Sequence, residues 1–155
     1  MKNFQEAYAS YTAGEKKVDE LYHLIAMQTG ISDSVLWTLY CLSDPETPHT
    51  QNDIAQRVGV PKQTIHSAVS RLIQDGYVYL EQLPVARNNK QLLLTEKGKA
   101  FCRQYIAPVL AAEERAFNRL SESEQETYLR IGIRHNQFLM EELRGILAGK
   151  EGGDA

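Results

Sequence analysis

Lys62, Gln63, Thr64, His66, Ser67, Ser70 and Arg71 share one side of a segment whose other side is Ile65, Ala68, Val69, Leu72 and Ile73. The apolar set falls at i, i+3, i+4, i+7 and i+8, the spacing of a helix with an inward stripe. The outward side holds two cations, an imidazole, an amide and three hydroxyls, with no acid before Asp75. An exposed face usually mixes both signs, so a basic face rich in hydrogen-bonding groups points to phosphates and base edges rather than to plain solvation. A helix fits the major groove of B-DNA, where Gln63 and His66 can bond bases, Lys62 and Arg71 can reach guanine or phosphate, and Thr64, Ser67 and Ser70 can hold the backbone. A second polar and basic group, Arg87, Asn88, Asn89 and Lys90, closes the run Pro84–Lys90, which has the composition of a hairpin tip.

Other chemistries find little in the sequence. There is no nucleophile–base pair, glycine-rich phosphate loop or paired-carboxylate spacing, so no catalytic residue and no enzyme is expected. His23, His49, His66 and His135 lie in different segments without the spacing of helical zinc ligands, and no metal or other cofactor is expected. Cys41 and Cys102 have apolar neighbours, with Arg103 the one adjacent cation, so both are expected to be packed thiols rather than redox sensors.

The groups on the basic face need elements to position them. Thr50 and Asp53 can cap each other at the start of a short helix carrying Ile54, Ala55 and Val58. Gly59 suits the left-handed residue that closes it, and Pro61 the first turn of the next, giving a recognition helix over 61–75. After Asp75-Gly76 the pattern turns strand-like, with strands over Tyr77–Leu80 and Gln91–Thr95. Helix, glycine turn, helix and hairpin make a winged helix-turn-helix, with its wing over 77–95. Upstream, Phe4, Tyr8, Tyr11, Val18, Tyr22 and Ile25 mark one long helix with Gly14 as its point of interruption, and Ser32 caps a second. Downstream, a fifth helix starts at Thr95 and kinks at Pro108, and Ser121-Glu-Ser-Glu124 opens a sixth. The expected fold is mainly α, six helices with a small β-hairpin wing.

Ile31–Leu42, Thr50–Val60, Pro61–Leu72 and Leu94-Thr-Glu-Lys-Gly98, in this order and spacing, resemble the successive signatures of the MarR family of bacterial transcriptional regulators. The resemblance implies a homodimer joined through the first and last two helices, with two winged lobes on a pseudo-palindromic operator in double-stranded DNA. It also implies regulation by a small phenolic or amphipathic ligand in the crevice between the dimerisation and DNA-binding parts, where Tyr8, Tyr11, Trp37, Tyr40, Phe101 and Tyr105 are the candidate lining residues. The wing departs from the family pattern. Arg87 stands where the first wing arginine belongs, while Ala86 and Asn88 replace the bracing acid and the second arginine, leaving Asn89 and Lys90 to compensate.

These assignments divide the chain into an N-terminal dimerisation helix (1–30), a winged DNA-binding lobe (31–95), C-terminal dimerisation helices (96–148) and a frayed tail (149–155). At 155 residues the length suits one hydrophobic core, and no apolar run or leader pattern directs it to a membrane or out of the cytoplasm. The net charge of −3 argues against nucleic acid until it is divided. Residues 50–105 hold eight Lys+Arg against four Asp+Glu, a surplus of +4, while 1–49 and 106–155 carry −4 and −3. The expected function is a repressor relieved by a ligand. The weakened wing motivates an alternative, a winged-helix protein-interaction module that no longer reads DNA.

Overall fold

The structure is a computed structural model that describes residues 3–44, 47, 49–82 and 90–151; the wing residues Arg87, Asn88 and Asn89 lie outside these. Helix boundaries follow the capping side chains. Asn3 Oδ1 accepts the Glu6 N–H at the start of α1 (Phe4–Gln28). The helix runs through Gly14 without the expected interruption, since one glycine costs a helix only about 1 kcal/mol. At its far end Thr29 Oγ1 donates to the Ile25 and Ala26 carbonyls, and Gly30 turns the chain with a positive φ of 73°. Ser32 caps α2 (Asp33–Leu42), accepting the Val35 N–H.

The expected reciprocal cap opens α3 (Gln51–Val58): the Asp53 N–H donates to Thr50 Oγ1 at 3.2 Å, and the Thr50 N–H to Asp53 Oδ2 at 2.8 Å. These bonds from the Thr50 backbone and side chain hold the Asp53 carboxyl below its ordinary pKa. Gly59 closes the helix in the left-handed region. Pro61 stands at the cap, one position earlier than expected, and α4 spans Lys62–Gln74. Ile65, Ala68, Val69 and Leu72 are buried as the stripe requires, but Ile73 is 40% exposed. It lies one residue from the end of the helix, where there is less protein left to cover it.

The sheet has a strand that the sequence pattern did not reveal. β1 (His49–Thr50), β2 (Val78–Gln82) and β3 (Lys90–Leu94) are antiparallel in the order β1-β3-β2, with His49 opposite Leu92 and Val78 opposite Leu94. β2 begins one residue later than expected because Gly76 and Tyr77 still belong to the turn: their N–H groups bond back to Ile73 and Leu72 of α4. The largest fully buried side chains are Leu36, Leu39, Thr38 and Cys41 of α2, Ile54 of α3, Ile65 and Val69 of α4, Leu92 of β3 and Ile106. The core therefore lies where α2, the helix-turn-helix and the sheet converge.

α5 (Glu96–Phe101), a π-helical turn (Cys102–Ile106) and α6 (Ala107–Phe117) are continuous, so with α7 (Glu122–Glu151) the described residues form six helical rods. Instead of a simple kink at Pro108, the helix widens just before it. Proline has no N–H to donate and its ring presses on the carbonyl four residues back; here the preceding Ala107 N–H reaches five back, to Cys102. By compactness the chain divides into Met1–Val109, which holds α1 to α5 and the sheet, and Leu110–Ala155. In the second unit Gln125 Nε2 donates to the Phe117 and Leu120 carbonyls where α6 ends, and Phe117 meets Tyr128 edge-on. Ser121 N–H and Oγ both bond Glu124 Oε2 at the start of α7, which runs on to Glu151, past the expected end at 148. Among the described residues no helix is long and apolar enough to cross a membrane.

Candidate nucleic-acid interface

α3 and α4 form the helix-turn-helix. On α4, Lys62, Gln63, Thr64, His66, Ser67, Ser70 and Arg71 are all exposed, so the groups singled out by type and spacing share one accessible surface. Three of them already have protein partners. The Ser67 hydroxyl donates to the Gln63 carbonyl at 3.0 Å, leaving its oxygen as an acceptor. Arg71 Nε donates to Asp75 Oδ2 at 2.7 Å, so the first acid of the face draws off part of its charge while the guanidinium keeps further N–H groups. His66 Nδ1 lies 3.1 Å from Gln51 Oε1 at the start of α3. Gln51 was not among the residues singled out from the sequence; it is fifteen positions from His66, and only the helix-turn-helix crossing joins them. Lys90, at the start of β3, is exposed opposite Gln82, whereas Arg87, Asn88 and Asn89 fall outside the described residues.

His49 is the polar group the sequence did not mark. It is 4% exposed, and its Nε2 has no hydrogen-bond partner among the described residues. Burial, reinforced by the Arg57 charge, holds its pKa below the ordinary 6.5; Asp44, Asp53 and a hydrogen bond at the Cys41 backbone oppose this less strongly. Between that lowered value and 6.5 the unfolded chain binds a proton that the fold refuses, so stability falls as pH drops below 6.5. Urea midpoints for wild type and His49→Leu, measured at neutral and mildly acidic pH, should therefore diverge, wild type losing more on acidification. Parallel curves would remove His49 as the cause. Cys41 and Cys102 are both buried, and burial raises both thiol pKa values, as packed thiols require.

The six candidate ligand-lining aromatics occur as ring pairs. Trp37 packs against Tyr40 at 5.5 Å, Phe101 against Tyr105 at 4.7 Å, and Tyr8 against Tyr11 at 6.3 Å. Three further rings extend these groups: Phe4 stacks on Tyr8 at 5.1 Å, Tyr22 of α1 lies 4.8 Å from Trp37, and Tyr77 lies 5.1 Å from Phe101. Tyr22 was legible as part of the α1 stripe, but its contact with α2 was not. Nearby, His23 Nδ1 bonds the Asp33 carboxylate at 2.9 Å, a second link between α1 and α2.

Residues 29–87, from the end of α1 into the wing, match the sequence model of the MarR family. Over this stretch the chain is similar to the MarR family. Solved structures carry the likeness of fold along most of the remaining length. S. aureus MepR in its DNA-binding conformation superposes with a TM-score of 0.74 at 19% identity, covering 86% of this chain and 98% of that one. NMB1585, a MarR family regulator from Neisseria meningitidis, gives 0.70 at 20% identity over 88% and 95%. Streptococcus pneumoniae FabT in complex with DNA gives 0.68 at 19% identity over 90% and 99%. No curated protein sequence matches the chain. The matched stretch contains the helix-turn-helix of α3 and α4 and runs through β2, which with β3 forms the wing, β1 being added beside β3.

Proposed function

We infer that this chain is a sequence-specific DNA-binding transcriptional regulator, cytoplasmic and homodimeric, that represses until a small ligand lowers its affinity for the operator. The observation that carries the DNA-binding reading is the α4 face: seven exposed polar or basic side chains with no acid before Asp75, beside a wing, in a stretch that matches the MarR family model. The surplus of +4 over residues 50–105 supports it, because phosphate contact is an electrostatic interaction. The neighbouring MepR and FabT structures in DNA complexes point the same way. Lys62, Arg71 and Lys90, with Arg87, are assigned to phosphate or groove contact; Gln63 and His66 to bases; Thr64, Ser67, Ser70, Asn88 and Asn89 to the DNA backbone.

A homodimer sets two recognition helices about one helical turn apart, roughly 34–36 Å, so the operator is an inverted repeat with about ten-base-pair spacing. The effector is a small phenolic or amphipathic molecule held by the aromatic pairs of α1, α2 and the junction of α5 with the π-helical turn. It favours a lobe separation in which both helices cannot enter successive grooves, a shift between two populations. The test is anisotropy binding to the chain's own upstream DNA across a salt series. Binding should weaken steeply with salt, and Lys62→Ala should reduce the logarithmic salt slope by about 1. Absence of binding to every duplex, at any salt, would overturn the reading.

A further inference from the structure

Gln51 opens α3 and His66 lies on the second turn of α4, and their side chains meet at the front of the helix-turn-helix, with His66 Nδ1 3.1 Å from Gln51 Oε1. An amide oxygen only accepts, so the proton of this bond sits on Nδ1. A neutral imidazole has one N–H, and once that is given to Gln51 the outer nitrogen, Nε2, presents a lone pair. We propose that Gln51 is a positioning residue for base selection, holding His66 in the Nδ1–H tautomer so that it selects adenine or cytosine on the strand it faces. The proposal rests on the DNA-binding reading above. In the major groove the donors are the adenine and cytosine amino groups; guanine O6 and N7 and thymine O4 are acceptors, which a lone pair repels. The bond is exposed in the free protein. Duplex closing over it excludes water and strengthens the preference where it is used.

Two measurements on the full chain test this. First, NMR of isotope-labelled histidine in mildly alkaline buffer, with His66→Ala assigning the signal, should show a protonated Nδ1 and bare Nε2. Gln51→Leu should lose that arrangement, and Gln51→Glu, which keeps an acceptor oxygen, should retain it. Second, competition among duplexes varied at each half-site position should show wild type favouring adenine or cytosine at one position by about five- to tenfold. Gln51→Leu should shift that position toward guanine or thymine, while Gln51→Glu keeps the wild-type order despite weaker binding overall. A wild-type ring protonated on Nε2, or an unchanged base order in a Gln51→Leu protein that still binds DNA, overturns the proposal. Failure of wild type to bind any duplex overturns instead the functional reading, and the base-selection step with it; the ring nitrogens then still decide the tautomer.

Discussion

Gly98→Ala is expected to lower the stability of the winged lobe by about 2–4 kcal/mol, the sum of an overpacked contact and a damaged helix cap. Gly98 is the third residue of α5, and the start of that helix is bonded tightly to the turn leaving α4. The Thr95 N–H donates to the Tyr77 carbonyl at 3.0 Å, Thr95 Oγ1 to the Gly76 carbonyl at 2.7 Å, and Lys97 Nζ to the Asp75 carbonyl at 2.6 Å. Thr95 Oγ1 also accepts the Gly98 N–H at 3.0 Å, and the Lys97 ammonium lies over the Tyr77 ring. A Cβ on Gly98 would run into the Tyr77 carbonyl oxygen and lie 3.2 Å from Leu94 Cδ2. The oxygen cannot retreat without breaking its bond to Thr95, and moving the helix instead opens the cap. Gly14, in mid-α1, has open space where its Cβ would stand, so Gly14→Ala should stabilise by about 0.5–1 kcal/mol through helix entropy alone. Equilibrium urea unfolding of the two variants checks both signs. A Gly98→Ala protein within about 0.5 kcal/mol of wild type would mean that the close approach is not required.

Gly98 also marks the boundary of what the sequence could reveal. The Leu94-Thr-Glu-Lys-Gly98 run was visible as a signature, and Thr95 as a helix start, because caps are local chemistry. That the glycine is required by a carbonyl twenty-one positions away depends on the fold bringing α5 to the end of α4. The same division recurs elsewhere. Thr50, Asp53 and Gly59 announced both ends of α3, and the inward stripe of α4 was right at four of its five positions. β1 went unread since two residues, His49 and Thr50, have no periodicity of their own and become a strand only opposite Leu92 and Gln91. Pro108 signalled an irregular helix, but no local rule said whether the backbone would bend or widen; it widens over a turn that begins and ends on the buried Cys102 and Ile106. At the candidate interface, the face of α4 was legible as a list of side chains, and the Arg71–Asp75 pair was available from its i, i+4 spacing. The partner of His66 was not, because no local rule connects Gln51 to it.

Leu139→Glu combined with Leu143→Glu in α7 should convert a dimer into a monomer and weaken binding to the full operator by about 10²–10⁴-fold. Along α7, Tyr128, Ile131, the adjacent Phe138 and Leu139, Leu143 and Ile146 are exposed, successive positions otherwise lying three, four or seven residues apart. Along α1, Phe4, Tyr11, Val18, Leu21, Leu24 and Met27 are exposed too. So many large apolar side chains on two long helices exceed what a soluble monomer leaves in water, and a second copy of the chain is the cover we propose for them. Two carboxylates placed one turn apart on α7 would have to be desolvated in that interface without partners, a cost of several kcal/mol each. Operator affinity then falls for a reason separate from base contact. In a dimer the second winged lobe meets its half-site at an effective concentration near the millimolar range, an advantage that a monomer lacks. The variant should therefore bind an isolated half-site as well as each wild-type lobe does, and lose only the gain from the inverted repeat. Sedimentation and anisotropy on half-site and full-site duplexes separate the two effects. A wild-type chain that sediments as a monomer at micromolar concentration, or a variant that stays dimeric, would remove α7 from the interface.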